Sequence, residues 1–302
     1  MTDFTVRPAE SDRDAADIAA VMTEVFPYLV NDAESVAYRM RSTPESQRPL
    51  DLIAEADGRV VGHGHVVLEP DFGDAAARFL VFVGRAHQGR GVGSALYQPM
   101  LEHARAIGAV KLVGRVCETA AFDVAARHGF AETRSERISH LSLDRAPAAV
   151  DPPGGIRVAA LSDMEDFRAL YDIDCAIIGD VPADEPLVNP PYEEWVAKFA
   201  ADPRMNAECT VLALDGDTPV AVSWLDGHAS RVWSSMTGVR REYRGRGLAK
   251  LVKTQALTRA RDRGVTDAYT NNDSTNAGML AVNDWLGYAF HAEQRVMVRV
   301  LD

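Results

Sequence analysis

Apolar residues recur along the chain with two different spacings. Short runs such as 52–56 and 79–83 are rich in apolar and β-branched residues, which is typical of strands, whereas stretches such as 248–260 have apolar residues every three or four positions, which is typical of helices. Predicted strands precede and follow predicted helices throughout the chain. The pattern therefore predicts an α/β fold, with a mixed sheet flanked by helices.

The order of these predicted elements occurs twice. Three landmarks recur 156 to 158 residues apart. They are a glycine-rich turn at Gly91 and Gly247, an Asp-Gly hairpin turn at 57–58 and 215–216, and a helix-ending Gly-aromatic pair at 129–130 and 287–288. We interpret the chain as a duplication with a first domain at 1–144, a linker rich in turn-forming residues at 145–155 and a second domain at 156–302.

The composition argues against several classes of protein. With 47% hydrophobic and 25% charged residues, the chain is expected to form a globular core in each half. The sequence does not open with a leader pattern, and no window approaches the roughly 18 apolar residues of a membrane span, so we expect no membrane association and a cytoplasmic location. The net charge of −12 argues against nucleic acid as a partner. An acidic surface can attract a cationic substrate such as an amine, although the same charge also serves solubility.

Candidate metal ligands are few in the sequence. Cys117, Cys175 and Cys209 are odd in number and lack a CxxC spacing, which predicts neither a disulfide framework nor a zinc site. His63 and His65 lie on one face of a predicted strand, but no third ligand is evident. We therefore expect structural or solvent-facing histidines and no metal.

A glycine-rich turn in the second half joins a predicted strand to a predicted helix. The free N–H groups and the positive dipole end at the start of a helix favour a phosphate group. Two glycines allow close approach of the backbone, and four arginines between positions 240 and 246 add positive charge. A helix cap surrounded by surface arginines is the alternative explanation of the turn taken alone. The predicted phosphate-binding residues are Arg244, Gly245, Arg246, Gly247, Leu248 and Ala249.

The first half repeats this turn after a run of strand length that ends at Val83. The residues of this copy are Gln88, Gly89, Arg90, Gly91, Val92, Gly93 and Ser94. We expect them to form a second turn of the same kind. The sequence leaves open whether this copy binds a ligand.

Both turns resemble a motif of a known family. The pattern Gln/Arg-x-x-Gly-x-Gly/Ala, matched by Arg244, Gly247 and Ala249, is motif A of the GNAT superfamily of acyl-CoA-dependent N-acyltransferases. The stretch 269–288 resembles motif B of the same superfamily. The tandem layout is similar to that of mycothiol synthase.

The resemblance implies a fold and a co-substrate. It implies two tandem GNAT-like domains, each a mixed, mostly antiparallel sheet flanked by helices, with a splayed pair of central strands. The implied co-substrate is acetyl-CoA, whose pantetheine arm would pair with main chain at Gly238 and Val239, and at Val83 in the first half. Asn276 of motif B would lie near the same molecule.

The sequence departs from the superfamily where an acid and a base are often found. The positions that often hold a thiol-protonating tyrosine are Ala125 and Asn283, and those that often hold a glutamate base for the amine are Ala77 and Trp233. Neither a general acid nor a general base is therefore predicted. Asn283 and Asp226 remain as catalytic candidates.

The first half departs further, because the asparagine of motif B is replaced there by Glu118. We therefore expect a non-catalytic first domain and a catalytic second domain. Five acidic residues at 172, 174, 180, 184 and 185 fall where the resemblance implies a wall of the acceptor site. We expect Asp174 and Asp180 to bind a cationic group of the substrate, and a solvated acidic loop is the alternative.

These patterns indicate an N-acetyltransferase that moves an acetyl group from acetyl-CoA to a primary amine of a small, cationic molecule. The alternative is a non-catalytic acyl-CoA sensor or scaffold, because the expected acid and base are missing. The sequence leaves open the oligomeric state and the acceptor, for which a small amine, an antibiotic, an amino acid and a protein N-terminus all fit.

Overall fold

The computed structural model describes residues 4–69, 72–73, 75–117, 119–184 and 186–301. Glu118 and Glu185, two positions of interest in the sequence, lie outside these ranges. The chain divides into two compact units. Unit 1 contains residues 1–135 and 294–302, and unit 2 contains residues 136–293. None of the helices in the described ranges is long and apolar enough to cross a membrane.

Strands and helices alternate along both units, as the apolar spacing predicts. In chain order, the elements of unit 1 are β1 (Thr5–Pro8), α1 (Ser11–Val25), α2 (Ala33–Ser42), β2 (Leu50–Ala56), β3 (Arg59–Leu68), β4 (Ala76–Val83), α3 (Val92–Ala106), β5 (Lys111–Val116), α4 (Thr119–Arg127) and the start of β6 (Ala131–Ser142). The remaining elements are β7 (Ile156–Ala160), α5 (Arg168–Ile177), α6 (Tyr192–Trp195), β8 (Val211–Asp215), β9 (Thr218–Asp226), β10 (Arg231–Val239), α7 (Leu248–Asp262), β11 (Asp267–Asp273), α8 (Ala277–Leu286) and β12 (Ala289–Val300).

Each unit has a mixed sheet with one parallel pair of strands. The strand order is β1-β2-β3-β4-β5-β12 in unit 1 and β6-β11-β10-β9-β8-β7 in unit 2. The parallel pairs are short, since β4 and β5 pair only over Ala76–Arg78 and Lys111–Val113, and β10 and β11 only over Arg231–Trp233 and Asp267–Tyr269. Beyond these residues the two strands of each pair separate. The predicted fold class and its splayed central strands are therefore confirmed.

The closing strands are exchanged relative to the sequence repeat. Residues 136–142 of β6 pair with β11 in unit 2, and residues 295–300 of β12 pair with β5 in unit 1. The compact units thus differ from the repeats at 1–144 and 156–302 in where these two strands belong. The sequence period cannot distinguish the two arrangements, because both strands contain 12 residues and occupy the same place in the repeat.

Helices cover both faces of the sheet in each unit. In unit 2, α7 packs against one face through Leu251 and Leu257, and α5 and α6 pack against the other through Ile173 and Trp195. Burying each such side chain contributes about 1.5–3 kcal/mol. In unit 1, α3 covers one face and the α1–α2 pair covers the other. With both faces covered, a ligand site is expected where the central strands separate.

Candidate functional site

The glycine-rich turn of unit 2 forms a cradle of backbone at the start of α7. Gly245 and Gly247 have φ angles of +75° and +79°, in the left-handed region that favours glycine. Gly247 is also the N-cap residue of α7, so no side chain caps the first turn of this helix. The N–H groups of that turn are therefore available to an anion. We call residues 240–249 the unit 2 cradle.

The end of β10 lies beside the cradle with one edge open. Residues 236–239 pair with β9 but not with β11, because β11 has separated from β10 by this point. The ladder to β9 is irregular between Ser234 and Met236, at the same place. A Cβ atom on Gly238 would collide with Ile177 of α5, so this glycine is required by close packing. The open edge leaves main-chain groups of β10 free to pair with a ligand.

A cavity of about 430 Å³ joins the cradle, the open edge of β10 and the start of α8. Met236 and Thr237 of β10 and Val282 of α8 contribute to its wall. Arg246 is the one predicted cofactor residue of unit 2 outside the lining, and its guanidinium lies 4.9 Å from the centre of the Tyr243 ring. The predicted cofactor residues in the lining are Gly238, Val239, Arg244, Gly245, Gly247, Leu248, Ala249 and Asn276.

Two arginines of the cradle pair with an acidic residue from the opposite side of the cavity. Asp180 follows α5, and its carboxylate accepts hydrogen bonds from Arg241 and Arg244. These hydrogen bonds lower the pKa of Asp180 to about 2. Arg244 also donates from Nε to the carbonyl of Val239 at 3.1 Å, which ties the cradle to β10. The structure therefore places Asp180 against Arg244, a predicted phosphate-binding residue, and against the neighbouring Arg241.

Asp174 has different surroundings from Asp180. It is buried at 4% exposure, and its Oδ2 accepts hydrogen bonds from Trp195 Nε1 at 2.9 Å and Asn189 Nδ2 at 2.7 Å. Burial raises the pKa of this carboxyl group. Asp174 is not part of the cavity lining. In this structure it links α5 to α6.

The start of α8 lies at the cavity, and a buried polar cluster lies farther along the helix. Asn276 is the N-cap residue, and its Oδ1 accepts a hydrogen bond from the N–H of Met279 at 3.2 Å. Asn283 is 1% exposed, accepts a hydrogen bond from Lys253 Nζ at 2.8 Å and donates to Asn272 Oδ1. Burial lowers the pKa of Lys253 to about 7. An amine that changes charge near neutral pH therefore lies beside the predicted candidate Asn283.

Asp226 lies at the end of β9, next to the irregular part of β10. Its Oδ1 accepts a hydrogen bond from Trp224 Nε1 at 2.8 Å, and its Oδ2 accepts one from the hydroxyl of Ser235. Ser235 is exposed and precedes Met236 of the cavity wall. Burial raises the pKa of Asp226, which makes this carboxylate a better proton acceptor.

Two family models match the chain in tandem. Residues 16–130 match the model described as acetyltransferase (GNAT) family, and residues 144–270 match the model described as acetyltransferase (GNAT) domain. Together the two matches cover most of the chain. The chain belongs to the GNAT acetyltransferase family. The resemblance to the GNAT superfamily is thereby confirmed, and the protein is an acyltransferase.

Several similar proteins align with nearly the full length of this chain. This chain is 24% identical over 293 residues to the mycothiol acetyltransferase of Actinosynnema mirum. The alignment covers 96% of this chain and 97% of that protein. A tandem GNAT protein from the clavulanic acid biosynthesis pathway, solved without AcCoA, has a TM-score of 0.76 at 18% identity and covers 99% of this chain and 98% of that one. A GCN5-related N-acetyltransferase from Sphaerobacter thermophilus has a TM-score of 0.73 at 20% identity, with coverage of 98% and 95%. These likenesses show a shared two-domain fold.

Unit 1 contains a glycine-rich cradle built in the same way as the unit 2 cradle. Gly89 and Gly91 have φ angles of +71° and +88°, and Gly91 is the N-cap residue of α3. Gln88 donates from Nε2 to the carbonyl of Val83 at 3.1 Å, which matches the contact between Arg244 and Val239 in unit 2. The remaining predicted residues, Arg90, Val92, Gly93 and Ser94, continue this turn into the first helical turn of α3.

Two histidines of unit 1 have a shared acidic partner that the sequence analysis missed. His63 Nε2 and His65 Nδ1 lie 2.8 and 3.1 Å from the same oxygen of Asp51, which is opposite them on β2. Both imidazoles are buried. Within the described residues, no group of three or more His, Cys, Asp or Glu side chains is arranged so that it could hold a metal ion.

Lys253 is the residue of the unit 2 site that the sequence analysis missed. It follows Ala249 by four residues and precedes Leu257 by four, so it lies on the apolar face of α7. The sequence does contain a signal for Lys253, because a cation occupies a position where the helical period predicts an apolar residue. Its partner Asn283 is 30 residues away in sequence, and no local pattern predicts that contact.

Proposed function

We propose that unit 2 transfers an acetyl group from acetyl-CoA to the primary amine of a small, cationic molecule. The observation that carries this proposal is the continuous cavity that joins the cradle to the open edge of β10. The cradle offers uncapped helix N–H groups and arginines to phosphates, and the open edge offers main chain to an amide-containing arm. Both features fit an acyl-CoA, and acetyl-CoA is the donor that we propose.

The proposed reaction begins with attack of a neutral amine on the thioester carbonyl. Asp226 takes up the proton of the amine through the Ser235 hydroxyl, which gives its own proton to the carboxylate. Main-chain groups of β10 that β9 does not use stabilise the carbonyl oxygen as negative charge develops. The burial that raises the pKa of Asp226 supports this role, since a general base works best when its pKa approaches the working pH.

A small and cationic acceptor is the finer part of the proposal. The net charge of −12 supports a cationic ligand, and similar proteins named mycothiol acetyltransferase support a small-molecule acceptor. Phosphates that bind Arg241 and Arg244 would release Asp180, whose carboxylate could then contact a cationic group of the acceptor. Asp174 would contribute indirectly, by holding α5 against α6.

The decisive experiment follows bound acetyl-CoA in the presence of amines. Polyamines, aminoglycosides and amino-acid amides would be added in turn to the full chain, with free thiol and acetylated products detected by absorbance and mass spectrometry. Continuous thiol release with one class of amine supports the proposal. Tight binding of acetyl-CoA without turnover would instead support a sensor, an alternative favoured by Asn283 and Trp233 at the positions where an acid and a base are often found.

A further inference from the structure

Lys253 is an unusual cation for this chain. The sequence contains 32 basic residues, and only four of them are lysines: Lys111, Lys198, Lys250 and Lys253. The other three are partly exposed, whereas Lys253 is 1% exposed. Lysine is almost never fully buried without a partner of opposite charge, and it can lose its proton where arginine cannot. The buried position thus holds the one type of basic side chain that can lose a proton.

The surroundings of Lys253 contain polar groups but no carboxylate. Asn283 Oδ1 on α8 accepts its hydrogen bond, and the centre of the Tyr288 ring, two residues beyond the end of α8, lies 5.1 Å from Nζ. The Tyr288 hydroxyl is buried and lacks a hydrogen-bond partner in the described part of the chain. Within that part, Lys253 forms no ion pair. A purely structural link between α7 and α8 would not need a charge here, because an apolar pair packs with less cost than a buried ammonium.

Lys253 and Asn283 lie close to residues that line the cavity. Ala249, which lines the cavity, is one helical turn before Lys253 on the same face of α7. Val282, which also lines the cavity, directly precedes Asn283 on α8. Asn272, the partner of Asn283, is on the part of β11 that has separated from β10. The ammonium is therefore held between the two helices that bound the cavity, close to the separated strands.

We propose that Lys253 is the proton donor of the acetyl transfer and that Asn283 is the residue that positions it. This inference rests on the proposed function. As the amine nitrogen bonds to the acetyl carbon, the carbon–sulfur bond breaks and its electron pair remains on sulfur. Lys253 gives one proton to this thiolate, which leaves as the free thiol, and the neutral lysine regains a proton from solvent before the next cycle.

The direction of proton transfer follows from acidity. Burial lowers the pKa of Lys253 to about 7, whereas an ordinary lysine has a value of about 10.4 and an ordinary thiol about 8.5. The buried lysine is therefore a stronger acid than the thiol that it would protonate, and an exposed lysine would not be. In the proposed reaction Asp226 takes up the proton of the amine, so the acid and the base are different residues.

The first test measures the lysine directly and does not depend on turnover. With lysine labelled by carbon-13, the full chain gives four side-chain signals that can be assigned by substitution. We expect the signal of Lys253 to titrate near neutral pH. The titration would be repeated with CoA and with desulfo-CoA, which lacks the sulfur atom. A thiol near Lys253 titrates as a coupled pair with it, so its apparent pKa should differ between the two complexes.

Equal pKa values for Lys253 in the two complexes would overturn the inference while leaving the CoA site intact. Calorimetry of the same samples separates this outcome from failure of the proposed function, which would appear as absence of CoA binding. A free-protein titration near the ordinary range of lysine would also overturn the inference, because the side chain would then be too weak an acid.

The second test compares Lys253→Met and Lys253→Arg, with Lys198→Met as the matched control. Loss of a general acid costs about 100-fold or more in kcat, and we expect this loss in both Lys253 variants with CoA affinity retained. Arginine keeps the charge but cannot give up its proton. Near wild-type kcat in Lys253→Arg would therefore overturn proton donation. Thermal unfolding and CoA binding of each variant check that a loss of activity does not come from misfolding.

Discussion

The carboxylate of Asp180 pairs with the guanidinium group of Arg244 inside the cavity that we assign to acyl-CoA. The same arginine fixes the cradle to the end of β10 through the carbonyl of Val239. An incoming phosphate must therefore compete with a carboxylate that the protein itself supplies. We expect this contact to weaken CoA binding and to make it depend on ionic strength.

Asp180→Asn is expected to bind CoA more tightly than the wild type. The pair is exposed to solvent on the arginine side, so the gain should be modest, roughly two- to fivefold in Kd. Isothermal titration calorimetry of the full chain at low and high salt would measure it. Asp172→Asn is the matched control, because this exposed residue has the same charge and lies on the neighbouring α5. Unchanged affinity in Asp180→Asn would show that the carboxylate does not compete.

Gly247→Asp is expected to weaken CoA binding by at least about tenfold, equivalent to ~1.4 kcal/mol. The φ angle of +79° is unfavourable for a side chain, and the new carboxylate would face the phosphates at the start of α7. Gly91→Asp makes the same change in unit 1, where we expect turnover to remain nearly intact. Equal losses of turnover in the two folded variants would contradict the assignment of catalysis to unit 2.

Asp226→Asn is expected to lower kcat by about 100-fold or more, because an amide cannot accept the proton of the amine. Asparagine keeps only one of the two side-chain oxygens, so it retains either the hydrogen bond from Trp224 or the one from Ser235. Ser235→Ala should give a smaller loss, since water can replace the hydroxyl. Rates with an identified acceptor provide the measurement, and wild-type kcat in Asp226→Asn would assign the base elsewhere.

The pH dependence of kcat should separate the acid from the base. Asp226 works only when ionised, so activity rises as pH passes through its raised pKa. Lys253 works only when protonated, so activity falls as pH rises above about 7. Asp226→Asn should remove the rising limb that belongs to this group, and Lys253→Arg the falling limb. A falling limb that persists in Lys253→Arg would have to come from another group.

Lys253→Met is expected to stabilise the fold, most strongly at low pH. The folded-state pKa of about 7 lies below the unfolded value, so the unfolded chain binds more protons between about pH 7 and pH 10.4. Wild-type stability therefore increases with pH in this window, and the penalty of the buried charge is fully present below it. Urea unfolding should show a gain of up to about 4 kcal/mol for the variant near pH 6 and little gain above pH 10. A gain independent of pH would mean that the pKa of Lys253 is the same in the folded and the unfolded chain.

The cradle could be predicted because it depends on local sequence, whereas the splayed strands were implied only by the family resemblance. Gly245 and Gly247 mark backbone conformations that few other residues adopt, and the apolar period marks the strand and helix on either side. Even the contact that closes the turn, from Arg244 to Val239, spans five residues. Such features repeat in both halves of the chain, which is why the duplication was visible.

The proposed acid, Lys253, was not predicted from the sequence, and the proposed base, Asp226, was predicted only as a catalytic candidate. Asp226 owes its raised pKa to burial and contacts Ser235 across two strands, and Lys253 meets Asn283 across two helices. The predicted acceptor residues depend on packing in the same way. Asp174 is buried against Trp195, and Asp180 pairs with an arginine of the unit 2 cradle. In the sequence, both are simply members of an acidic segment.

The exchange of closing strands sets an order in which the protein can be completed during synthesis. All of unit 2 has left the ribosome once residue 293 is outside the exit tunnel. At that point β5 of unit 1 still lacks its pairing partner, residues 295–300 of β12. Unit 1 therefore contains the residues that are synthesised first, but it is the last unit to receive all of its strands. Removing residues 294–302 should leave an open edge on β5 and expose it to wrong pairing, while the unit that we propose to be catalytic keeps all of its own strands.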